Sequence, residues 1–94
     1  MRIVWADESE ADLNQIIASY AEIDPSLPMR LIDLIAVAPL PLLDFPFLGE
    51  EIEMLGLRKW RAKGTPFILL YDVSPDEIII ARVIHAATDW KPLA

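Results

Sequence analysis

The segment FILLYDVSPDEIIIARVIH, residues 67–85, decides the fold, because its composition is that of two neighbouring β-strands. Residues 67–73 are apolar enough to form a central strand, and residues 78–85 are dominated by isoleucine and valine, which favour strands. Residues 74–77 between them, Ser-Pro-Asp-Glu, are of turn-forming types. The segment therefore predicts a β-hairpin that ends at His85, the only histidine of the chain.

A further strand is predicted immediately upstream, in LRKWRAK, residues 57–63. In an extended chain Arg58, Trp60 and Ala62 point to one side, and the other three basic residues of this segment point to the opposite side. Those basic residues are Lys59, Arg61 and Lys63. A turn at residues 64–66, Gly-Thr-Pro, connects this strand to the hairpin. The second half of the chain is therefore expected to contain three consecutive strands, the first with a basic face.

The first half of the chain predicts a short strand followed by a helix. Residues 2–5 are short and largely apolar, as a first strand would be. The next segment carries an apolar stripe at helical spacing, formed by Leu13, Ile16, Ile17 and Tyr20. Asp7 or Ser9 is expected to cap the start of this helix, and the acidic residues of its first turn suit the helix dipole.

A second helix is predicted to begin at Asp24, with Pro25 at its first helical position. Its apolar stripe consists of Leu27, Leu31 and Ile35. Further apolar residues cover much of its circumference, so we expect it to pack on more than one side. Pro39 and Pro41 each remove a backbone donor, so the helix is expected to end or kink near Ala38.

Residues 45–49, Phe-Pro-Phe-Leu-Gly, are predicted to form a connection, and residues 50–55 an acidic and apolar loop. The predicted order of elements is then β-α-α-β-β-β. In the simplest arrangement, two N-terminal helices pack on one face of a mainly antiparallel sheet, which is an α+β fold. A length of 94 residues fits one domain, spanning residues 1–94.

Composition excludes several classes of protein. The chain has no cysteine and one histidine, which excludes disulfides and thiolate zinc sites, and we expect neither a metal site nor a cofactor. Its longest apolar run, residues 34–43, contains two prolines and is too short to span a bilayer. No N-terminal signal pattern is visible, so we expect a cytoplasmic protein without a membrane partner.

The charges are distributed unevenly along the chain, whose net charge is −7. Of the lysine and arginine residues, only Arg2 and Arg30 precede residue 57. The acidic first half repels nucleic acid, so a surface that contacts anions would have to come from the second half. The hydrophobic content of 54% is high for a soluble domain, which suggests that an apolar surface faces a partner.

Several motifs, in the same order over nearly the whole chain, resemble those of the ParE/RelE superfamily of type II toxin–antitoxin toxins. VWADESEADLNQIIASY resembles the opening strand and first helix, DFPFLG the Phe-Pro…Gly connection, and GLRKW the Gly-x-Arg-x-Leu strand. GTPFILLYDV resembles the Pro-Tyr-x-x-x-Tyr strand, and ARVIHAATDW resembles the closing Arg-Val-x-His strand. The resemblance implies an α+β toxin fold, action in the cytoplasm, and a cognate ParD-like antitoxin that wraps the toxin in a hetero-oligomer.

The superfamily contains two mechanisms. RelE-like members cut mRNA on the ribosome, whereas ParE-like members inhibit DNA gyrase by binding. Cleavage of RNA needs a base, an acid and cations that stabilise the phosphorane, and in this chain Lys59, Arg61 and His85 would supply them. RelE-like ribonucleases carry an arginine where this chain has Ile68, and a further functional group where it has residues 86–88. We therefore expect a gyrase inhibitor that is not an enzyme.

A third hypothesis is a detoxified protein that is retained as an antitoxin-binding module. It rests on the acidic residues 50–53, because related toxins usually carry basic residues after the preceding glycine. For the ParE-like toxin, the antitoxin is expected to lay a helix and an extended segment across the apolar second helix and the exposed edge of the sheet.

The residues expected to contact the target or the antitoxin lie in the second half of the chain: Arg58, Lys59, Arg61, Lys63, Arg82, His85 and Trp90. Arg58, in the Gly-x-Arg motif, is expected to be structural or target-facing, and His85 structural or partner-facing. Arg82 is expected to share a side with Ile80 and Ile84, and to pair with a carboxylate or cap a sheet edge.

Each tryptophan also has an expected position. Trp90 is expected either to anchor a partner or to cover the open end of the core. Trp5 and Trp60 are expected to belong to the core.

Overall fold

The computed structural model describes residues 1–88. In chain order these residues form β1 (Arg2–Trp5), α1 (Asp7–Ala21), α2 (Leu27–Val37), β2 (Glu50–Ile52), β3 (Leu57–Arg61), β4 (Phe67–Val73) and β5 (Glu77–His85). Short 3-10 turns occupy Leu40–Leu43 and Glu53–Leu55. None of the helices within these residues is long and apolar enough to cross a membrane.

The strands form one five-stranded sheet in the order β1-β5-β4-β3-β2. β1 runs parallel to β5, and the other neighbouring pairs are antiparallel. The predicted fold is therefore confirmed: an N-terminal strand and two helices precede a mainly antiparallel sheet. The sheet has one more strand than predicted, because part of the segment expected to be a loop forms β2 on β3.

Both helices start differently from the prediction. α1 begins at Asp7 after the N-cap residue Ala6, and neither predicted side-chain cap forms. The Ser9 hydroxyl instead donates to the Ala6 carbonyl, at 2.6 Å. α2 begins at Leu27, because the Asp24 carboxylate accepts hydrogen bonds from the backbone and hydroxyl of Ser26 and so forms a turn. These bonds lower the pKa of Asp24 below its ordinary value.

The predicted end of the second helix is confirmed, since α2 ends at Val37 and Ala38 is its C-cap residue.

The core lies between the helices and one face of the sheet. Its buried residues include Ile16, Leu31, Ile35, Leu69, Tyr71, Ile78, Ile80 and Val83. Burying one of these leucine, isoleucine or valine side chains stabilises the fold by about 1.5–3 kcal/mol. Ile17, predicted to belong to the apolar stripe, is exposed instead.

An irregularity in the β4–β5 ladder determines which face each residue of β5 occupies. Leu70 pairs with Arg82, but the next residue, Tyr71, pairs with Ile80, so Ala81 is left over as a bulge. Directly paired residues lie on the same face of a sheet. Arg82 therefore shares a face with Ile84 but not with Ile80, and the prediction for Ile80 was wrong.

Candidate functional site

The connection between the helices and the sheet is fixed by side chains from β3 and β4. The phenol of Tyr71 accepts a hydrogen bond from the Gly49 amide at 2.9 Å and donates one to the Pro46 carbonyl at 2.8 Å. Burial raises the pKa of Tyr71, so the phenol keeps the proton that it donates. A Cβ at Gly49 would lie 2.5 Å from the Tyr71 hydroxyl and 2.6 Å from the Lys59 carbonyl, so only glycine fits there.

Arg58 holds the same connection from β3. Its guanidinium donates to the carbonyls of Gly49, at 2.8 Å, and Phe47, at 3.3 Å, and it lies 5.1 Å from the centre of the Phe47 ring. Contact between a cation and a ring face of this kind is attractive. Arg58 therefore makes structural contacts within the chain, and its expected contact with a target or antitoxin stays a prediction.

The acidic strand β2 lies directly beside the basic strand β3. Glu50 pairs with Lys59 and Glu51 with Arg58 in the ladder. The same residues form ion pairs, at 3.2 Å between Lys59 and Glu50 and 3.7 Å between Arg58 and Glu51. Exposed pairs of this kind add little stability, about 0–1 kcal/mol each. Their main effect is on the local field, because two cations of β3 are offset by adjacent carboxylates.

The three residues that an RNA-cutting site would need do not converge. Arg61 pairs with Ile68, and Lys59 pairs with Leu70, so both basic residues lie on the face of Ile68 and Leu70. His85 pairs with Phe67, which alternates with Ile68 along β4. Because successive residues of a strand point to opposite faces, His85 and the two basic residues lie on opposite faces of the sheet.

His85 lies at the end of β5, at the rim of the core. Its ring meets the ring of Phe67 edge-on, with 5.7 Å between centroids. Its Nδ1 accepts a hydrogen bond from the Ala87 amide at 3.1 Å, and its carbonyl accepts one from the Thr88 amide. These contacts connect the imidazole to the turn after β5, which is a structural environment.

Arg82 is paired with α1. Its guanidinium donates two hydrogen bonds to the Asp12 carboxylate, at 2.7 and 3.0 Å, and these raise the pKa of Arg82. Asp12 also accepts a hydrogen bond from the Val83 amide, at 2.9 Å. β1 pairs with β5 only up to Ile80, so Asp12 satisfies a backbone donor beyond the end of that ladder.

An apolar groove of about 520 Å³ lies between α2 and the end of β3. Its lining consists of Leu34, Val37, Ala38, Pro41, Trp60, Arg61, Lys63 and Gly64. Trp60 packs against the core and donates its indole N–H to the Ala38 carbonyl at 2.7 Å, which fixes one wall. β3 ends at Arg61, so Lys63 lies in the following turn and not on the predicted strand face. The groove is therefore apolar with two basic residues beside it.

One exposed apolar surface was not predicted from the sequence. Phe45, Phe47 and Leu48 are exposed apolar side chains that the sequence placed in a connection without a role. The two aromatic residues beside Pro46, in a segment too short for a helix, were the sequence feature that could have predicted this exposed apolar surface. Trp90 lies outside the described residues. Among residues 1–88 no cluster of histidine and carboxylate side chains could hold a metal ion.

The fold and site together define a small α+β protein with a fixed apolar surface, whose catalytic candidates do not meet. A family model for the ParE toxin of type II toxin–antitoxin system, parDE, matches residues 3–90. The chain belongs to this family, which confirms the resemblance in its motifs.

A solved structure supports the same assignment. A chain of the chromosomal ParDE TA system from P. aeruginosa is similar, with a TM-score of 0.77 and 26% sequence identity. The similarity covers 90% of the present chain and 95% of that chain. No curated protein matches the present chain in sequence.

Proposed function

We propose that this ParE toxin inhibits DNA gyrase by binding it and trapping it on DNA, and that a cognate ParD-like antitoxin neutralises it. The proposal includes action in the cytoplasm, which is a reducing compartment in which proteins do not depend on disulfides, and this chain has no cysteine. The observation that carries it is the separation of His85 from Lys59 and Arg61 on opposite faces of the sheet. Inhibition by binding needs a fixed surface and no convergent acid, base and cation.

The charge pattern adds support against RNA cleavage. A ribonuclease active on the ribosome needs cations directed at phosphate, whereas Lys59 and Arg58 are each ion-paired with a carboxylate of β2. Arg82 is ion-paired with Asp12. With a net charge of −7, the chain is suited to a protein target more than to bare RNA.

The groove beside α2 supports the antitoxin part of the proposal. Leu34 and Val37 are 40% and 55% exposed, although both are aliphatic and lie on a helix that packs on the core. An amphipathic antitoxin helix could cover them and place acidic side chains near Arg61 and Lys63. We propose a hetero-oligomer on this basis.

The test is a paired assay on purified, antitoxin-free protein. One arm measures inhibition of gyrase supercoiling and accumulation of cleavage complexes, and the other measures mRNA cutting on programmed ribosomes. We expect inhibition without cutting. Cutting without inhibition would favour the RelE-like alternative, in which Lys59, Arg61 and His85 are the first residues to substitute. Inactivity of folded protein in both arms would favour the detoxified antitoxin-binding module, which the pairing of β2 with β3 motivates.

The antitoxin part has a separate test. Val37→Glu should weaken binding of the cognate antitoxin by about tenfold or more, because the substitution places a charge in the apolar groove. Ile23→Glu is the matched control, since Ile23 is exposed and does not line the groove. Equal losses in both variants would remove the groove from the antitoxin interface.

A further inference from the structure

Residues 44–48 present three large apolar side chains to solvent, and we call Phe45, Phe47 and Leu48 the apolar ridge. Their exposed fractions are 65%, 67% and 56%. Single exposed apolar residues are common, but three within four residues form a continuous patch that usually marks an interaction surface.

The backbone beneath the apolar ridge is held in place by hydrogen bonds. The Phe45 amide donates to the Pro41 carbonyl, and the Leu48 amide donates to the Phe45 carbonyl, both at 3.1 Å. Tyr71 and Arg58 hold the same segment from the sheet. The ridge therefore loses little backbone freedom when it binds, as expected of an interface whose few apolar anchors carry most of the affinity.

Carboxylates flank the apolar ridge. Asp44 lines the same recess as the three ridge side chains. Glu51 and Asp72 line a second recess that also borders Phe47. Arg58 borders that recess too and is ion-paired with Glu51, so Asp44 and Asp72 are the carboxylates that set the charge on this side of the ridge. On the other side, Leu48 lines a recess with the ion-paired residues Glu50 and Lys59 and with Arg61. The border beside Phe45 and Phe47 is therefore acidic, which repels nucleic acid and complements a protein surface with a basic border.

We propose that the apolar ridge is the target-binding surface of this toxin, and that it enters an apolar recess bordered by lysine or arginine on a protein. The inference rests on the proposed function, which makes that protein gyrase, an enzyme whose DNA-handling surfaces are basic because they bind phosphate. Target and antitoxin then use different surfaces: the ridge, with Asp44 and Asp72 beside it, for the target, and the groove beside α2, with Arg61 and Lys63, for the antitoxin.

The first experiment compares inhibition of supercoiling by wild-type protein and by the double variant Phe45→Ser, Leu48→Ser. The concentration needed for half-inhibition should rise by about tenfold or more, because two of the three apolar side chains of the ridge are removed. Ile23→Ser is the matched control, because Ile23 is 74% exposed and lies outside the connection, and it should inhibit like wild type. The double variant should bind the antitoxin within about threefold of wild type, which also verifies its fold.

A second variant tests the acidic border. Asp44→Asn with Asp72→Asn keeps the size of both side chains and removes two negative charges. Half-inhibition should require about threefold more protein at low salt, and the loss of inhibition with added salt should be less steep than for wild type.

Four outcomes would overturn the inference. A double variant as potent as wild type removes the ridge from the target interface. If the double variant still inhibits gyrase but no longer binds the antitoxin, the ridge belongs to the antitoxin interface. A wild-type dimer that the substitutions dissociate, detected by light scattering, assigns the ridge to self-association. If wild-type protein leaves gyrase unaffected, the proposed function itself fails and the ridge assignment fails with it, which distinguishes this result from the other three.

Discussion

Replacing Tyr71 with phenylalanine removes one oxygen atom from the protein interior and tests how the connection is held. Tyr71 is fully buried, and its hydroxyl connects the Gly49 amide to the Pro46 carbonyl. The ring would remain packed in the core, so the substitution isolates these two hydrogen bonds.

The expected loss of stability follows from the burial of the two partners. Gly49 is buried, so its unpaired amide costs about 1–3 kcal/mol, and the half-buried Pro46 carbonyl loses about 0.5–1.5 kcal/mol. Removing the hydroxyl also removes the cost of burying it, which offsets part of the sum. A net loss of about 2 kcal/mol lowers the Tm of a chain of this length by about 10 °C.

Denaturant unfolding of Tyr71→Phe, followed by circular dichroism, measures the loss directly. Hydrogen exchange provides the local measurement, since the Gly49 amide should exchange much faster in the variant. Tyr20→Phe is the matched control: Tyr20 packs its ring edge-on against Phe67, and no hydrogen bond of its hydroxyl is found within residues 1–88. It should stay within about 0.5 kcal/mol of wild type.

Two results would refute this reasoning. A Tyr71→Phe variant as stable as Tyr20→Phe would mean that the two hydrogen bonds contribute nothing net. Unchanged exchange at Gly49 would mean that the connection is held without Tyr71.

Three further predictions concern neighbouring contacts. Gly49→Ala should destabilise by about 1–3 kcal/mol, because the new Cβ meets the backbone of β3, and a wild-type Tm would contradict this. Asp12→Ala should cost about 1–3 kcal/mol in urea unfolding, since it leaves Arg82 and the Val83 amide without their acceptor; an equal urea midpoint would refute it. Because burial raises the folded-state pKa of Tyr71, its contribution is complete below about pH 10 and is lost as pH rises through that raised pKa. Wild type should therefore lose more stability than Tyr71→Phe in alkaline titration.

The sequence predicted the elements whose signals are local. The hairpin of β4 and β5 has strand composition and a turn of the right residues, and the prolines after α2 remove backbone donors near its observed end. The helix starts were less predictable. A serine or aspartate near a helix start can bond forwards, as a cap, or within its own turn, and Ser9 and Asp24 do the latter.

What the sequence did not reveal depends on contacts between distant residues. Nothing within the acidic residues 50–52 indicates a strand, because β2 exists only by pairing with β3. The bulge at Ala81 likewise comes from the fit of two strands, and it moved Ile80 to the other face from Arg82. The prediction that Lys59, Arg61 and Lys63 share one strand face holds for Lys59 and Arg61, but β3 ends at Arg61 and Lys63 lies in the turn after it. The apolar ridge was missed because exposure depends on what the rest of the fold leaves uncovered.

The parallel pairing of β1 with β5 has a consequence for how the toxin is made. Arg2 faces Glu77 across that pair, so the first strand has no neighbour until a partner 75 positions later in the chain has been synthesised. At about 5–20 residues per second, this delay is roughly 4–15 s. During that interval the nascent chain lacks its completed sheet. The five-stranded sheet is therefore completed late in synthesis, and β1 stays unpaired for most of that time.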